Sequence, residues 1–431
     1  MAKVIKIGLI GYGTVGSGVD KILAENAKQI EQRIGAEIEI AAICDLKPIE
    51  KKGVFITKNY KEILDNPEID IVVELIGGYE PARTIILEAF KKGKNVVSAN
   101  KAVLAKYWGE VLTSARIQKK LIYFEASVGG GIPVIQALNE GLAANKINKI
   151  SGILNGTTNY ILSEMTKNNL SFAQALKNAQ KAGFAEADPS FDVKGIDTAH
   201  KLAVLASLAW ASWIKLEHIK TTGIEEISQE DVSFLKNEFG YVIKLLGTAQ
   251  MHNGGASLSV EPRLVSKSHP FANVEKEYNA ILFTGDAVGD VMFYGKGAGQ
   301  MAAASAVVSD IIFLSREVAN ETAGKIPYAT YNSKNKIKLL PKGHDEGSYY
   351  LRFTCVDKTG VLSSISGVLG KCGVSIAEVY QKEPLGSRGK KGVSVIIITH
   401  KAKEGSIEKA VNKIDTLGVI KAKTVKLRIE E

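Results

Sequence analysis

The chain has 431 residues, too many for one compact core and enough for two or three domains of ordinary size. Hydrophobic residues make up 45% and charged residues 23%, which places it with folded globular proteins and excludes a disordered or low-complexity chain. The formal charge of +9 comes from lysines and arginines scattered along the sequence, with no basic block interleaved with aromatics, so a nucleic-acid partner is not expected and an anionic small molecule fits.

The N-terminal "MAKVIKIGLIGYGTVGSG" carries five glycines, too many for the apolar region of a signal peptide, and a cytoplasmic location is expected. Within it, Val4 to Ile10 reads as a strand and leads into Gly11-Tyr12-Gly13-Thr14-Val15-Gly16 at the start of a helix. In a Gly-x-Gly-x-x-Gly turn the first glycine permits the tight bend, the second lets backbone approach a pyrophosphate, and the third lets the helix pack on the strand. The helix is expected to run to about Arg33. "EIEIAAICD" is then a second strand ending at Asp45, whose carboxylate can accept from a ribose diol. Lys47, Lys51 and Lys52 follow and can pair with a 2′-phosphate instead, so NAD and NADP both stay open.

"IDIVVELIGG" reads as a buried strand, "PARTIILEAFKKGK" as a helix with Pro81 near its start, "NVVSANK" as a strand reaching Lys101, and "LIYFEAS" as one more. Strands alternating with helices predict a parallel, doubly wound sheet with ligands beyond the strand C-termini, where Gly77-Gly78 and Ser98 to Lys101 fall. Gly129-Gly130-Gly131 marks a tight backbone excursion. "INKISGILNGTTNYIL" is a strand feeding a helix, with Asn155, Thr157 and Thr158 either capping it or facing a ligand. Asn155-Gly156-Thr157 also matches a glycosylation sequon, a chance match in a chain without a secretion signal.

If a helix begins near Gly195, Asp197 and Lys201 are four apart and share a face. The apolar run Leu202 to Ile214, thirteen residues, is too short to span a bilayer and reads as a buried helix, so Lys201 sits where desolvation moves a lysine toward neutrality, as a general acid or base requires. Cys44, Cys355 and Cys372 lack the spacing of a zinc site or disulfide framework. No cysteine is placed to acylate, and His200 and His218 have no nucleophile partner. This favours carbinol–carbonyl interconversion over thioester chemistry.

"GLIGYGTVGSGV", "SANKAVLA", "EASVGGGIPVI", "GILNGTTNYIL", "GFAEADPSFDVKGIDTAHKLAVLA" and "YGKGAGQMAAASAVVSDI", in that order, resemble the homoserine dehydrogenase family over essentially the whole chain. The resemblance implies NAD(P)-dependent interconversion of L-homoserine and L-aspartate 4-semialdehyde, on the branch to threonine, isoleucine and methionine. It implies Lys201 as the proton donor or acceptor, Lys101 between nicotinamide and substrate, Glu186, Asp197 and Thr157 at the substrate, and Asp192 supporting the lysines. To the cofactor residues read from the glycine turn and the strand ends, Gly11, Gly13, Thr14, Val15, Gly16, Asp45, Ser98 and Lys101, the resemblance adds Gly183 and Gly299. A sodium site is implied at Glu125 with the carbonyls of Val128, Gly130 and Ile132. This chain has Phe184 where many members have tyrosine, and Cys44-Asp45 where NADP-using members often carry arginine.

After a polar linker, residues 331–348, the order strand, helix, strand, strand, helix, strand with "DKTGVLSSISGVLGKCG" resembles an ACT domain over 349–431. Val361, Leu362, Ile365, Val368 and Leu369 are expected on one helix face, and a second helix around Ile407–Leu417. Asp357 and Gly360 fall where such domains bind an amino acid, with threonine the effector the resemblance implies; dimerisation alone is the other reading. The expected organisation is an α/β chain: a Rossmann-type domain at 1–130 completed by 300–325, an α+β substrate and dimerisation domain at 131–300, and a βαββαβ regulatory domain, assembled as a homodimer or homotetramer. A non-catalytic amino-acid sensor with a structural dinucleotide site is the alternative.

Overall fold

The computed structural model describes residues 3–341, 343–382 and 392–430. Its first layer is a parallel sheet of β1 (Lys3–Ile10), β2 (Ala36–Cys44), β3 (Phe55–Thr57), β4 (Ile71–Glu74), β5 (Asn95–Ser98) and β6 (Ile122–Tyr123) in the order β3-β2-β1-β4-β5-β6. That order reverses direction between β1 and β4, which opens the crevice where such sheets bind dinucleotides. Helices α1 (Thr14–Glu25), α2 (Ala27–Ile34), α3 (Tyr60–Asp65), α4 (Ala82–Lys91) and α5 (Lys101–Ile117) connect the strands. Every residue of β4 and β5 is buried, including the polar Glu74, Asn95 and Ser98 at their ends.

Two local expectations need correction. The first helix is two: Asn26 leaves the helical region at φ −108°, and α2 stops at Gly35 in the left-handed conformation, φ 72°. "LIYFEAS" holds only a two-residue strand, and Glu125–Ser127 is a 3-10 turn.

The second layer contains α6 (Val134–Gln136), β7 (Ile147–Ile153), α7 (Gly156–Asn168), α8 (Phe172–Lys181), α9 (Ser190–Val193), α10 (Ile196–Ala209), β8 (Lys220–Thr221), α11 (Gln229–Phe234), β9 (Tyr241–His252), β10 (Gly255–Ser266), β11 (Tyr278–Gly285) and β12 (Gly289–Lys296). Helix α10 ends at Ala209, short of the Ile214 limit of the apolar run, because the chain turns at Trp210 and Ala211 takes a positive φ of 49°. Helix α12 (Gln300–Ala319) returns to the first sheet. There, a methyl on Gly18 of α1 would lie 2.9 Å from the Ala304 Cβ, and Gln300 donates to the Ser17 hydroxyl at 3.0 Å.

The remaining elements are β13 (Glu346–Gly347), β14 (Tyr349–Cys355), α13 (Val361–Lys371), β15 (Ile376–Lys382), β16 (Val393–Thr399), β17 (Ala402–Lys403), α14 (Glu404–Ile414) and β18 (Ile420–Ile429). The βαββαβ order is as expected. Leu362 is the exception on its helix: Val361, Ile365 and Leu369 are buried, whereas Leu362 is 40% exposed. The linker is not free-running, since Ala256 of β10 donates to the Lys338 carbonyl and accepts from the Leu340 amide, both at 2.8 Å.

Sequence reading missed how the last two units join. Among the described residues a single sheet runs β12-β11-β7-β9-β10-β18-β14-β16-β15, with β8 on the side of β10. β18 pairs in parallel with β10 at Arg263↔Arg428 and Leu264↔Ile429, and the Glu430 amide donates to the Leu264 carbonyl at 2.8 Å. Buried charges reinforce the seam. Arg263 meets Glu430 at 2.6 Å, Lys149 meets the same carboxylate at 2.8 Å, and Arg352 and the Tyr350 hydroxyl both bond Asp231. No helix among the described residues is long and apolar enough to cross a membrane.

Candidate active site

The glycine turn has the geometry its spacing implies. Gly11 takes φ 99°, and its amide donates to the Cys44 carbonyl at 2.8 Å; a side chain on Gly16 would run into the Gly11 carbonyl oxygen. Gly13, at an ordinary φ of −74°, has nothing within 4 Å of where a Cβ would stand, and it directly precedes α1, whose first amides are at Thr14 and Val15. That open space at a helix N-terminus suits a pyrophosphate. Gly13→Val is therefore expected to leave the melting temperature of the free protein within about 2 °C while weakening NADPH binding at least tenfold, about 1.4 kcal/mol. A fluorescence titration with unchanged affinity would take Gly13 out of the cofactor site.

Asp45 lies just beyond β2, its carboxylate accepting the Tyr12 amide at 2.6 Å and the Lys47 amide at 2.9 Å, so it is fixed beside the glycine turn. Lys51 is ion-paired with Asp20, while Lys47 and Lys52 are exposed. Gly183 and Gly299 take positive φ, 78° and 116°, with open space where a side chain would be. Ser98 is fully buried and its hydroxyl turns inward, donating to Glu74 at 2.7 Å. Glu74 was not singled out in the sequence. Buried at the end of β4, it is raised above the usual carboxylate range by desolvation, and it accepts the Ile76 amide at 3.0 Å, shaping the approach to Gly77-Gly78.

Beyond the C-terminal end of β5, Asn100 caps α5 through the Val103 amide at 3.1 Å, which places Lys101 in the first turn. From there Lys101 reaches Asp197 of the second layer: Nζ to Oδ1 is 2.6 Å. The other Asp197 oxygen meets Lys201 Nζ at 2.8 Å, and Lys201 also donates to the Leu154 carbonyl at 2.7 Å. The four-residue spacing on α10 thus gives the expected pair, with Lys101 as a third member.

Asn155 ties the cluster together. Its Oδ1 accepts the Thr158 amide at 2.8 Å, capping α7, while its Nδ2 donates to Asp192 at 2.7 Å and Asp197 at 2.8 Å. Asn155 therefore caps α7 and at the same time faces the Asp192–Asp197 side of the cluster. Thr157 donates to the Phe184 carbonyl at 2.6 Å, and the Phe184 ring packs on Tyr160 with centroids 4.9 Å apart. Glu186 is exposed on the loop after α8 and is not drawn into the lysine–aspartate cluster.

The electrostatics follow from burial. Asp197 is 3% exposed; burial alone would raise it, but the two ammonium groups of Lys201 and Lys101 hold it below the usual carboxylate range. Desolvation of Lys201 outweighs the Asp197 charge and lowers its pKa from 10.5. Burial raises Asp192, opposed by Asn155. His200 shares the α10 face with Asp197 and Lys201. It is buried, its Nδ1 has no partner among the described residues, its ring meets the Phe191 ring edge-on, and burial lowers its pKa.

A third cluster lies behind the glycine loop. Glu125 is 3% exposed and its carboxylate accepts the Ile135 and Gln136 amides, each at 2.8 Å. Burial still pushes it up to about 7. Its own amide donates at 2.8 Å to Asp310, which burial and then the Glu125 charge raise well above the usual range. Glu125 and Asp310 are thus two buried carboxyl groups held close together through backbone amides. Val128 and Gly130 are buried beside them; Gly130 packs on the Gly297–Ala298 backbone, and the Ile132 carbonyl accepts the Val134 amide at 2.8 Å. Among the described residues no group of three His, Cys, Asp or Glu side chains could hold a metal. In the last unit, Gly360 precedes α13 at φ 85° with Asp357 exposed on the same turn.

A glycine turn at the crossover of a parallel sheet, joined through Lys101 to a desolvated lysine on a buried helix, defines a nicotinamide-dependent oxidoreductase. Comparison with known proteins narrows the class. A profile described as homoserine dehydrogenase matches residues 133–312, its NAD binding domain residues 11–125, and the ACT domain residues 349–418. The homoserine dehydrogenase of Helicobacter pylori is 42% identical over 432 residues, covering 100% of both chains. The crystal structure of a homoserine dehydrogenase from Thiobacillus denitrificans is similar at a TM-score of 0.94 and 39% identity, covering 100% of both. A hyperthermophilic archaeal homoserine dehydrogenase in complex with NADPH gives a TM-score of 0.62 at 26% identity, over 72% of this chain and 97% of the other. The chain belongs to the homoserine dehydrogenase family.

Proposed function

We propose that the chain interconverts L-homoserine and L-aspartate 4-semialdehyde with Lys201 moving the proton and Lys101 lying between nicotinamide and substrate. The observation that carries this reading is the Asp197 carboxylate bridging both lysines at 2.6 and 2.8 Å. NAD(P), when bound, accepts or supplies the hydride at the carbinol carbon. In the oxidative direction the unprotonated Lys201 amine takes the hydroxyl proton as the hydride leaves; in reduction its ammonium gives that proton to the carbonyl oxygen. Two of the three ammonium donors are engaged by Asp197 and the Leu154 carbonyl, which leaves the third for the reacting oxygen.

Asp197 and Glu186 offer carboxylates to the substrate's α-ammonium group, Glu186 from its exposed loop, with Thr157 beside them. Asp192 acts on the lysines through Asn155. Gly11 to Gly16, Asp45, Gly183 and Gly299 border the cofactor, and Ser98 shapes its floor through Glu74. Sodium at Glu125 and the carbonyls of Val128, Gly130 and Ile132 neutralises the buried carboxylates. Threonine binds at Asp357 and Gly360 as effector of a homodimeric or homotetrameric cytoplasmic enzyme serving threonine, isoleucine and methionine synthesis. A sensor that only binds its ligands has no use for a lysine moved toward neutrality, which sets the catalytic reading above it.

One assay tests these roles: purified protein with aspartate semialdehyde and either NADH or NADPH, in sodium or choline chloride, with and without threonine, followed by absorbance. Oxidation of at least one cofactor, faster in sodium and slowed by threonine, is expected. No oxidation with either would sink the enzymatic reading; indifference to sodium or threonine would remove that site alone.

A further inference from the structure

Helix α10 carries Asp197 and Lys201, yet it starts at Gly195 with no side-chain cap. Something else must hold its first turn. The residues that do so form the short segment 220–224. Lys220 and Thr221 pair in parallel with Ser259 and Val260 of β10, and the Thr222 amide donates to the Val260 carbonyl at 2.7 Å. The Ile224 amide donates to the Val193 carbonyl at 2.9 Å. A Cβ on Gly223 would collide with that carbonyl oxygen and lie 2.8 Å from the Lys194 Cα; a Cβ on Gly195 would meet Val260 at 3.0 Å and Thr221 at 3.1 Å. The turn from Asp192 to Gly195, closed by the Gly195 amide on the Asp192 carbonyl at 2.8 Å, therefore rests backbone to backbone on this segment.

The other end of the segment is anchored in a different unit. Lys220 pairs with Glu404 at the start of α14 and, at 2.7 Å, with Glu408 one turn on, and Lys426 of β18 lies 3.7 Å from Glu404. The Glu404 side chain is only 9% exposed, so this is a partly buried junction whose charges are not washed out by solvent.

We infer that residues 220–224 form a positioning strap that sets the Asp192–Gly195 turn, and through it Asp197 and Lys201, according to where α14 of the ACT domain lies. Lys220 is the contact to that domain and Gly223 the contact to the turn; neither touches substrate. This rests on the reading of Lys201 and Asp197 as the reacting cluster and adds the route by which a distant helix reaches them. Contiguity alone does not establish coupling, so the test measures coupling directly.

Full-length protein is assayed for kcat and KM with homoserine and for NADPH affinity by fluorescence. Lys220→Met is expected to lower kcat about fivefold with cofactor affinity unchanged, and Lys220→Arg to restore it. In a Glu404→Gln, Glu408→Gln background, Lys220→Met is expected to have no further effect, because its partners are already neutral. Gly223→Ala is expected to lower kcat at least about tenfold by displacing the Val193–Lys194 backbone. Unchanged kcat in Lys220→Met, an undiminished effect in the neutral background, or a loss of cofactor affinity in parallel with kcat would each overturn the strap. Should Gly223→Ala fail to fold, the Lys220 cycle decides. Failure of the underlying assignment reads differently, since Lys201→Ala would then retain turnover.

Discussion

Lys201→Ala is expected to lower homoserine turnover about a thousandfold, roughly 4 kcal/mol of transition-state stabilisation, with NADPH affinity within about twofold of the parent. The size follows from what is removed: the group proposed to move the proton, held by Asp197 and the Leu154 carbonyl at 2.8 and 2.7 Å. The pH dependence follows from the direction of its shift. Because burial lowers the Lys201 pKa from 10.5, the free amine appears at lower pH than for an exposed lysine. Homoserine oxidation in the parent should therefore rise with pH and level off below 10.5, and that rising limb should vanish in the variant. A variant that keeps the limb, or keeps turnover, would transfer the proton step to another residue, with Lys101 and His200 the neighbours to examine.

Arg263→Met is expected to cost about 3–5 kcal/mol of stability and several degrees of melting temperature, because it leaves the Glu430 carboxylate, 5% exposed, with Lys149 as its remaining cation. The same carboxylate predicts acid sensitivity. Burial would raise Glu430, but Arg263 and Lys149 together lower it from 4.5 to about 2. Its folded pKa lies below its unfolded one, so the stabilisation is full above pH 4.5 and is lost as pH falls toward 2. At 1.36 kcal/mol per unit this amounts to about 3 kcal/mol. Melting curves from pH 6 to 2.5 would show a steep loss in the parent and a shallow one in Glu430→Gln. Equal slopes would mean that Glu430 is not the group responsible.

What the sequence made legible was local. Gly11 to Gly16 pointed to the nucleotide end because three glycines with distinct jobs lie within six consecutive residues, and Asp197 with Lys201 stood out as a candidate proton-transfer pair because a helix brings positions four apart together. Lys101 was found by its place after a buried strand. Asn155 shows where such reasoning stops: a helix cap already explains it, and only the fold reveals that its amide also spans Asp192 and Asp197. Glu74 was hidden inside an apolar run, and its importance lies in Ser98, a partner on another strand.

The β9–β10 hairpin did leave a signal, since Asn253-Gly254 is a favoured two-residue turn and sits between His252 and Gly255 in the ladder. The pairing of β10 with β18 left none. It joins strands far apart in the chain, and the residues that seal it, Arg263 and Glu430, look in the sequence like ordinary surface charges.

That pairing determines what can be cut away. The outer edge of β10 is covered in two halves, Ser259 and Val260 by β8 and Arg263 and Leu264 by β18. Ending the chain before β14 would strip the second half, expose unpaired backbone groups on an edge strand, and leave Arg263 without Glu430 and Asp231 without Arg352. Such an enzyme would be liable to aggregate before its regulation could be measured. A shortened form would need a substitute cover for that edge, with Arg263 and Asp231 redesigned to match.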